Sequence, residues 1–192
     1  QDMRDIEEGP VNDGPSNPYS AGSRFERDYC VEASSIRKRG DTYYFIYTSI
    51  AMHELCYAVS DNPMKSFVYG GVIVSNADMH IDSYKPADRN MAYGGNNHGS
   101  MVEIMGKWYI FYHRHTDGTN FSRQGCIEPI SFREDGSIVQ AELTSCGANG
   151  GPLIGKGEYP AYLACNLWAN DAALTTGAPG EWMDCRFPKV TQ

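Results

Sequence analysis

Apolar and aromatic residues occur along the first part of the chain in short runs, and turn-forming residues separate the runs. Residues 31–49 contain two such runs joined by Arg39-Gly40-Asp41, where glycine is free to take a positive φ angle. The second run, residues 42–48, is almost wholly aromatic or β-branched, which predicts a strand covered on both faces. The stretch therefore predicts a β-hairpin that carries Glu32, a charged residue, at the head of its first strand.

The same order of residues returns in residues 98–112. A polar residue, His98, is followed by small residues, an apolar run, a turn at Gly106 and an aromatic run. Both copies continue with a predicted third and a predicted fourth strand, at 55–59 and 67–74 in the first copy and at 124–130 and 138–143 in the second. Four antiparallel strands repeated in this way are typical of propeller blades, although two unrelated hairpin pairs are the alternative. The prediction is an all-β protein.

The organisation of the chain around these copies is predicted from its turn-forming residues. Residues 1–27 hold several Gly-Pro and Asn-Pro breakers and are interpreted as a connecting segment. Residues 28–150 contain the two blades, separated by a long polar loop at 75–97, and loops of this length inside a domain are usually functional. Residues 151–192 are interpreted as a linker or the start of a C-terminal module, with a partial strand pair as the alternative.

Composition and charge indicate which classes of molecule the chain can bind. The 192 residues are 41% hydrophobic and carry a net charge of −8, with basic residues scattered along the chain. This argues against nucleic acid or an anionic membrane as partner and suits a soluble protein that binds a neutral ligand. No apolar run approaches the roughly 18 residues of a membrane span. Because the chain begins with Gln1 rather than Met, we expect an upstream part to be missing.

The six cysteines show no CxxC spacing, which makes a zinc site improbable. Most of them fall inside predicted strands, so free buried thiols are the simple interpretation and disulfides are the alternative. The sequence leaves the redox compartment, cytoplasmic or secreted, undecided.

Glu32 and His98 occupy matching places in the two copies and are the first candidates for chemistry. In a propeller the first strand of each blade lines the central channel, so both side chains should face one cavity, about 10 Å apart or less. A glutamate among aromatic side chains should have a raised pKa, as a general acid requires. The alternatives are a carboxylate satisfied by Arg37 or a backbone amide, and a turn histidine bonded to a carbonyl.

Five segments that follow one another along the chain form a recognisable set: Glu32-Ala-Ser-Ser-Ile-Arg-Lys, Tyr43-Tyr-Phe-Ile-Tyr47, Asn96-Asn-His-Gly-Ser100, Lys107-Trp-Tyr-Ile-Phe-Tyr-His113 and Ser122-Arg-Gln-Gly-Cys126. In this order they resemble glycoside hydrolase family 43, the five-bladed propeller β-xylosidases, α-L-arabinofuranosidases and arabinanases of plant-polysaccharide breakdown. The resemblance covers roughly residues 28–150, which correspond to later blades of the propeller.

The resemblance implies an inverting glycosidase acting on xylose- or arabinose-containing polysaccharides or oligosaccharides. Glu32 matches the general acid, and His98 matches the histidine at the propeller centre, near a water or a calcium or sodium ion. Arg123 matches an arginine of the sugar pocket, and no organic cofactor is implied. The family takes its Asp base, and a second Asp that orients the acid, from the first two blades. The base is therefore expected to lie outside this chain.

The implied partners are a carbohydrate substrate and either the missing N-terminal blades or another copy of the chain. Residues 159–166 resemble a linker that leads into a carbohydrate-binding β-sandwich in some relatives. Two other interpretations stay open: a carbohydrate-binding propeller fragment without catalysis, and a β-rich scaffold that shares only blade packing. Nothing in the sequence separates xylose from arabinose specificity.

Overall fold

The structure is a computed structural model, and it describes residues 28–51, 53–75, 78–81, 96–115, 121–149, 151–160, 163, 168–169 and 172–173. Within these ranges the regular structure is β-sheet, apart from one short 3₁₀ turn at Gly147–Asn149. The predicted all-β class is thus confirmed for the described part of the chain. The predicted connecting segment at 1–27 and most of the loop at 75–97 lie outside the described residues.

The first sheet is the predicted first copy of the repeat. Its four antiparallel strands lie in the order of the chain: β1 (Cys30–Arg39), β2 (Thr42–Ser49), β3 (Leu55–Ser60) and β4 (Val68–Val74). Gly40 joins β1 to β2 with a φ of +58°, the left-handed conformation that the turn was predicted to need. The predicted hairpin and the two strands that follow it are confirmed.

The second sheet has three strands rather than four. They are β5 (Gly99–Ile104), β6 (Lys107–His115) and β7 (Arg123–Ile130), antiparallel and in chain order. Met105 and Gly106 connect β5 to β6 with φ angles of +51° and +76°, and two successive positive values are typical of the type I′ hairpin turn. The hairpin and the third strand of the second copy were therefore predicted correctly.

The predicted fourth strand of the second sheet, at 138–143, is wrong. Ile138 forms an isolated bridge with Phe132, and Ala141 forms one with Val74 at the edge of the first sheet. The Ala141 amide donates to the carbonyl of Ile73 at 2.7 Å. The alternation of apolar residues in this segment reflects burial between the sheets, because Ile138, Ala141 and Leu143 all belong to the core that the two sheets share.

Beyond this point the described residues hold one further strand pair, β8 (Trp168–Ala169) and β9 (Ala172–Ala173). It agrees with the partial strand pair considered for the C-terminal part. The boundaries predicted for the three regions of the chain stay predictions.

The main core lies between the two sheets, and β2 has buried side chains on both of its faces. Tyr44 and Ile46 pack into the core shared with the second sheet, whereas Phe45 and Tyr47 belong to a smaller cluster on the opposite face. All four side chains are buried. The prediction that this strand is covered on both faces is confirmed.

Four of the six cysteines are described, and all four are free thiols: Cys30, Cys56, Cys126 and Cys146. Burial raises the pKa of Cys30 and of Cys56 to about 12, so both stay protonated and unreactive at neutral pH. Cys165 and Cys185 lie outside the described residues. In the described part of the chain no helix is long and apolar enough to cross a membrane.

The second sheet leaves an apolar face open. Val102 and Ile104 of β5 are 38% and 43% exposed, and Phe111 of β6 is 43% exposed. The cross-strand register places Val102 opposite Tyr109 and Phe111 opposite Ile127, so apolar residues continue across this face from β5 to β7. Exposed apolar patches on a sheet favour association.

We expect the purified chain to associate in solution through this face, because burying Val102 and Phe111 removes apolar surface from water. Light scattering measures the effect, and replacing both residues with threonine should shift the population toward monomer. Phe121→Ser is the matched control, since Phe121 is 96% exposed but lies outside the sheet. A monodisperse monomer of the unmodified chain would contradict the prediction.

Candidate active site

Glu32 lies where β1 departs from regular pairing. The register between β1 and β2 shifts on both sides of Glu32, which pairs with Thr48, and Ala33 has a φ of +59°. A β-bulge of this kind bends the strand and re-aims a side chain, and such bulges are frequent next to active sites. The Glu32 side chain is 42% exposed, so a ligand can reach its carboxylate.

His98 lies immediately before β5 and contacts Glu32. Its Nε2 atom is 2.8 Å from Oε1 of Glu32, although the ring N–H does not point along this line as it would in a well-formed hydrogen bond. The Thr48 hydroxyl, on the strand that pairs with Glu32, donates to the carbonyl of Asn97 and so holds the backbone next to His98. The expectation that Glu32 and His98 face one place is confirmed, while their chemical roles stay predictions.

Arg37, one of the alternative partners considered for Glu32, is bonded elsewhere. Arg37 donates from Nε to the carbonyl of Met101 at 3.1 Å and from Nη1 to the carbonyl of Ile36 at 2.8 Å. The ion-pair contact of Glu32 is with His98. The two residues that match in the repeat are thus each other's neighbours.

The predicted upward shift in the pKa of Glu32 is wrong. The contact with His98 lowers the pKa of this carboxyl below its ordinary value, and the electrostatic effects of His53 and Arg123 act in the same direction. Burial, which raises the pKa, is the weaker effect, because the side chain is 42% exposed. In this chain Glu32 is held as a carboxylate.

A row of imidazole rings extends from the Glu32–His98 contact. His98 meets His113 edge to face, with ring centroids 5.2 Å apart, and His113 lies parallel to His115 at 6.2 Å. His115 Nε2 is 2.7 Å from Oδ1 of Asn96. Burial, followed by the charge of His98, lowers the pKa of His113 to about 4, so this ring is neutral at pH 7.

Sequence reasoning missed His113 and His115 as parts of the site. Both lie at the end of β6, and residues two apart in a strand point to the same face. The sequence did contain a signal for them, because the two histidines alternate with Arg114 directly after the aromatic run of β6. Their closeness to His98 follows from pairing across β5 and β6, which the sequence order alone does not reveal.

Unsatisfied polar atoms collect around the Glu32–His98 contact. Within the described ranges, buried side-chain atoms without a hydrogen-bond partner include Nδ1 of His53, Oδ1 of Asn97, Nε2 of His98 and both ring nitrogens of His113. Buried polar groups in proteins almost always have a hydrogen-bond partner, and water or a ligand is the partner where no protein group is available. Their concentration here indicates a place where water, a ligand or further protein supplies the missing partners.

Arg123 begins β7 and lies opposite His115 in the register. Its side chain is exposed, and its charge lowers the pKa of Glu32, His113 and His115. The structure therefore places Arg123 at the same end of the sheets as Glu32 and His98. A role in the sugar pocket stays a prediction.

In the described part of the chain, no group of three or more His, Cys, Asp or Glu side chains, at His98 or elsewhere, is arranged to hold a metal ion. Calcium prefers oxygen ligands, whereas His98 offers a ring nitrogen that already contacts Glu32. A contact of His98 with an ion, direct or through water, stays a prediction.

Gly99 lets β5 start beside the site. A Cβ atom at this position would lie 2.4 Å from the carbonyl oxygen of Phe111 and 2.8 Å from Cδ2 of Leu55. We expect Gly99→Ala to reduce the free energy of unfolding by about 1–3 kcal/mol, the usual cost of overpacking, because the carbonyl cannot move without breaking the ladder. Urea unfolding measures this, and Gly125→Ala is the control, since a Cβ there meets nothing within 4 Å. Equal losses for both variants would contradict the prediction.

Comparison with known proteins adds to this geometry. The family model described as "Glycosyl hydrolases family 43" matches residues 13–138, well over half of the chain. A xylosidase/arabinosidase of Thermoclostridium stercorarium is 64% identical over 191 residues, which is 100% of this chain and 40% of that protein. A β-xylosidase of Xylanibacter ruminicola is 40% identical over 109 residues, or 56% of this chain and 30% of that protein.

One solved structure is similar in both sequence and fold. It is a β-xylosidase/α-arabinofuranosidase from a compost microbial metagenome, in complex with xylotriose and in a calcium-free form. The TM-score is 0.50 at 31% sequence identity, covering 61% of this chain and 32% of that one. The chain thus spans well under half the length of these relatives.

Proposed function

The chain belongs to glycoside hydrolase family 43, and from this we propose that it is the part of a glycosidase that carries the general acid. The substrates are xylose- or arabinose-containing plant polysaccharides or oligosaccharides, the mechanism is inverting, and Glu32 is the acid. The contact between Glu32 and His98, formed across two separate sheets at matching places in the repeat, is the observation that carries the proposal.

Glu32 is suited to protonate the leaving oxygen of a glycoside. Its carboxyl group is partly exposed at the end of the sheets, within reach of a bound sugar. The unsatisfied polar atoms of Asn97 and His113 nearby match a ligand rich in hydroxyl groups. Arg123 presents a fork of N–H donors, which in this proposal bind sugar hydroxyls at the same end of the sheets.

Inversion also requires a base on the opposite face of the sugar. The two carboxyl groups of an inverting site are about 6.5–9.5 Å apart, with the attacking water between them. The side chains whose electrostatic effects on Glu32 are strongest are His98, His53 and Arg123, and none of them is a carboxylate. We place the base outside this chain, in the remaining blades of a five-bladed propeller, in line with the 40% of the relative that the chain covers.

A general acid must hold its proton, whereas Glu32 in this chain is shifted toward the carboxylate. Two changes on completion of the propeller raise its pKa. Further blades and the bound sugar remove water from the carboxyl group, and His98 turns toward a water or an ion at the propeller centre. In this proposal Glu32 gains the environment of an acid only in the whole propeller.

The test is hydrolysis by the full-length protein, meaning this chain joined to the remaining propeller. Aryl β-xylosides and aryl α-L-arabinofuranosides are offered in turn, and proton NMR identifies the first anomer released. We expect turnover with inversion at the anomeric carbon. Retention would overturn the mechanism, and sugar binding without turnover would favour a carbohydrate-binding propeller instead.

A further inference from the structure

Strand β1 carries Glu32, and strand β5 begins directly after His98, yet the two strands belong to different sheets. Side chains link them: the Ser35 hydroxyl donates to the Ser100 hydroxyl at 3.0 Å, and Arg37 Nε donates to the carbonyl of Met101 at 3.1 Å. No ladder of backbone hydrogen bonds joins these strands in the described part of the chain. Ser35, Arg37 and Ser100 are called the β1–β5 clasp below.

The clasp is close in sequence to both members of the Glu32–His98 contact. Ser35 lies just beyond the bulge that starts at Glu32, and Ser100 lies two positions after His98. Ala33, between Glu32 and the clasp, has a φ of +59°, a conformation that persists only where the surroundings hold it. A shift of one sheet against the other would therefore move Glu32 relative to His98.

We propose that the β1–β5 clasp is a set of positioning residues that holds Glu32 in register with His98 for proton transfer. The inference rests on the proposed role of Glu32 as general acid. A general acid must lie within hydrogen-bond reach of the leaving oxygen, and a displacement of about 1 Å can cost roughly 10²-fold in rate. The clasp residues need not touch the substrate.

A purely structural role predicts a different result from a positioning role. Each sheet has its own ladder and the two share a buried core, so the fold is held largely without the clasp. Loss of acid positioning slows substrates with poor leaving groups selectively, because activated leaving groups depart with little protonation. General loosening of the fold slows both kinds of substrate alike.

The experiment compares Ser35→Ala/Ser100→Ala with the unmodified full-length protein. We expect kcat/KM to fall about ten- to a hundredfold for xylo-oligosaccharides or arabino-oligosaccharides and less than about threefold for 2,4-dinitrophenyl glycosides. Arg37→Met removes the second bond independently and should give the same pattern. Ser35→Thr keeps the hydroxyl and should leave kcat/KM close to that of the unmodified protein. Ser60→Ala, which removes a hydroxyl bond to Lys65 at the far end of β3, is the control.

The outcomes separate this inference from the function on which it rests. If the unmodified full-length protein hydrolyses no glycoside, the proposed function has failed. If it does, and the clasp variants lose both substrate classes equally or neither, the positioning role is overturned. Thermal unfolding tests whether each variant is folded, and Ser35→Ala alone, which leaves the Ser100 side chain in place, replaces the double variant if that one does not fold.

Discussion

Replacing Glu32 with glutamine in the full-length protein is expected to lower kcat/KM by about 10²–10⁴-fold for substrates with poor leaving groups. Glutamine keeps the size of the side chain and its contact with His98 but has no proton to give the glycosidic oxygen. Activated aryl glycosides should be affected much less, since their leaving groups depart without protonation. Steady-state kinetics over a series of leaving groups measures the difference.

Two further variants make this test specific to Glu32. Glu103→Gln removes a carboxylate from an exposed position on β5, away from His98, and should leave both substrate classes unchanged. His98→Ala should weaken activity less than Glu32→Gln, because it alters the arrangement of the channel and removes no proton donor. An equal loss for good and poor leaving groups in Glu32→Gln would exclude the acid role.

The repeat was the part of the sequence from which most could be predicted. Glycine at 40 and 106 marked the two hairpin turns, and the aromatic run of β2 indicated burial on both faces. Matching Glu32 with His98 across the copies predicted that two residues far apart in the chain lie close together, and the structure brings them into contact. A repeated unit carries this information because equivalent positions in neighbouring units point to the same axis.

The errors have physical reasons that sequence patterns do not contain. Residues 138–143 alternate like a strand, but alternation reports burial, and their buried residues fill the core between the sheets without forming a ladder. The pKa of Glu32 was predicted to rise among aromatic residues. The bulge at Ala33 instead places the carboxylate beside His98, where it stays partly exposed. The contact of 2.8 Å with His98 lowers the pKa by more than partial burial raises it. The row from His98 to His115 depends on packing between strands.

The 192-residue chain on its own is expected to hydrolyse aryl xylosides and arabinofuranosides at least about 10²–10⁴-fold more slowly than the full-length protein. In the proposed mechanism Glu32 supplies the proton, and the attacking water needs a base on the other face of the sugar. In the chain alone Glu32 is also shifted toward the carboxylate, so even the acid step is impaired. Both deficits act in one direction, which makes this the largest expected effect.

Among the described carboxylates, Asp28 lies two residues before β1 and is a candidate for a substitute base, but its surroundings argue against that role. Its backbone carbonyl accepts a hydrogen bond from the hydroxyl of Tyr47. Its charge acts on Tyr47, Cys56 and Tyr69, which belong to the cluster on the face of the first sheet that is turned away from the second. Release of 4-nitrophenol measures the rate of the chain alone, with near-ultraviolet circular dichroism to show that it is folded. Hydrolysis at the full-length rate would place the base inside the chain, and Asp28→Asn together with substitutions of the acidic residues in the 75–97 loop would then locate it.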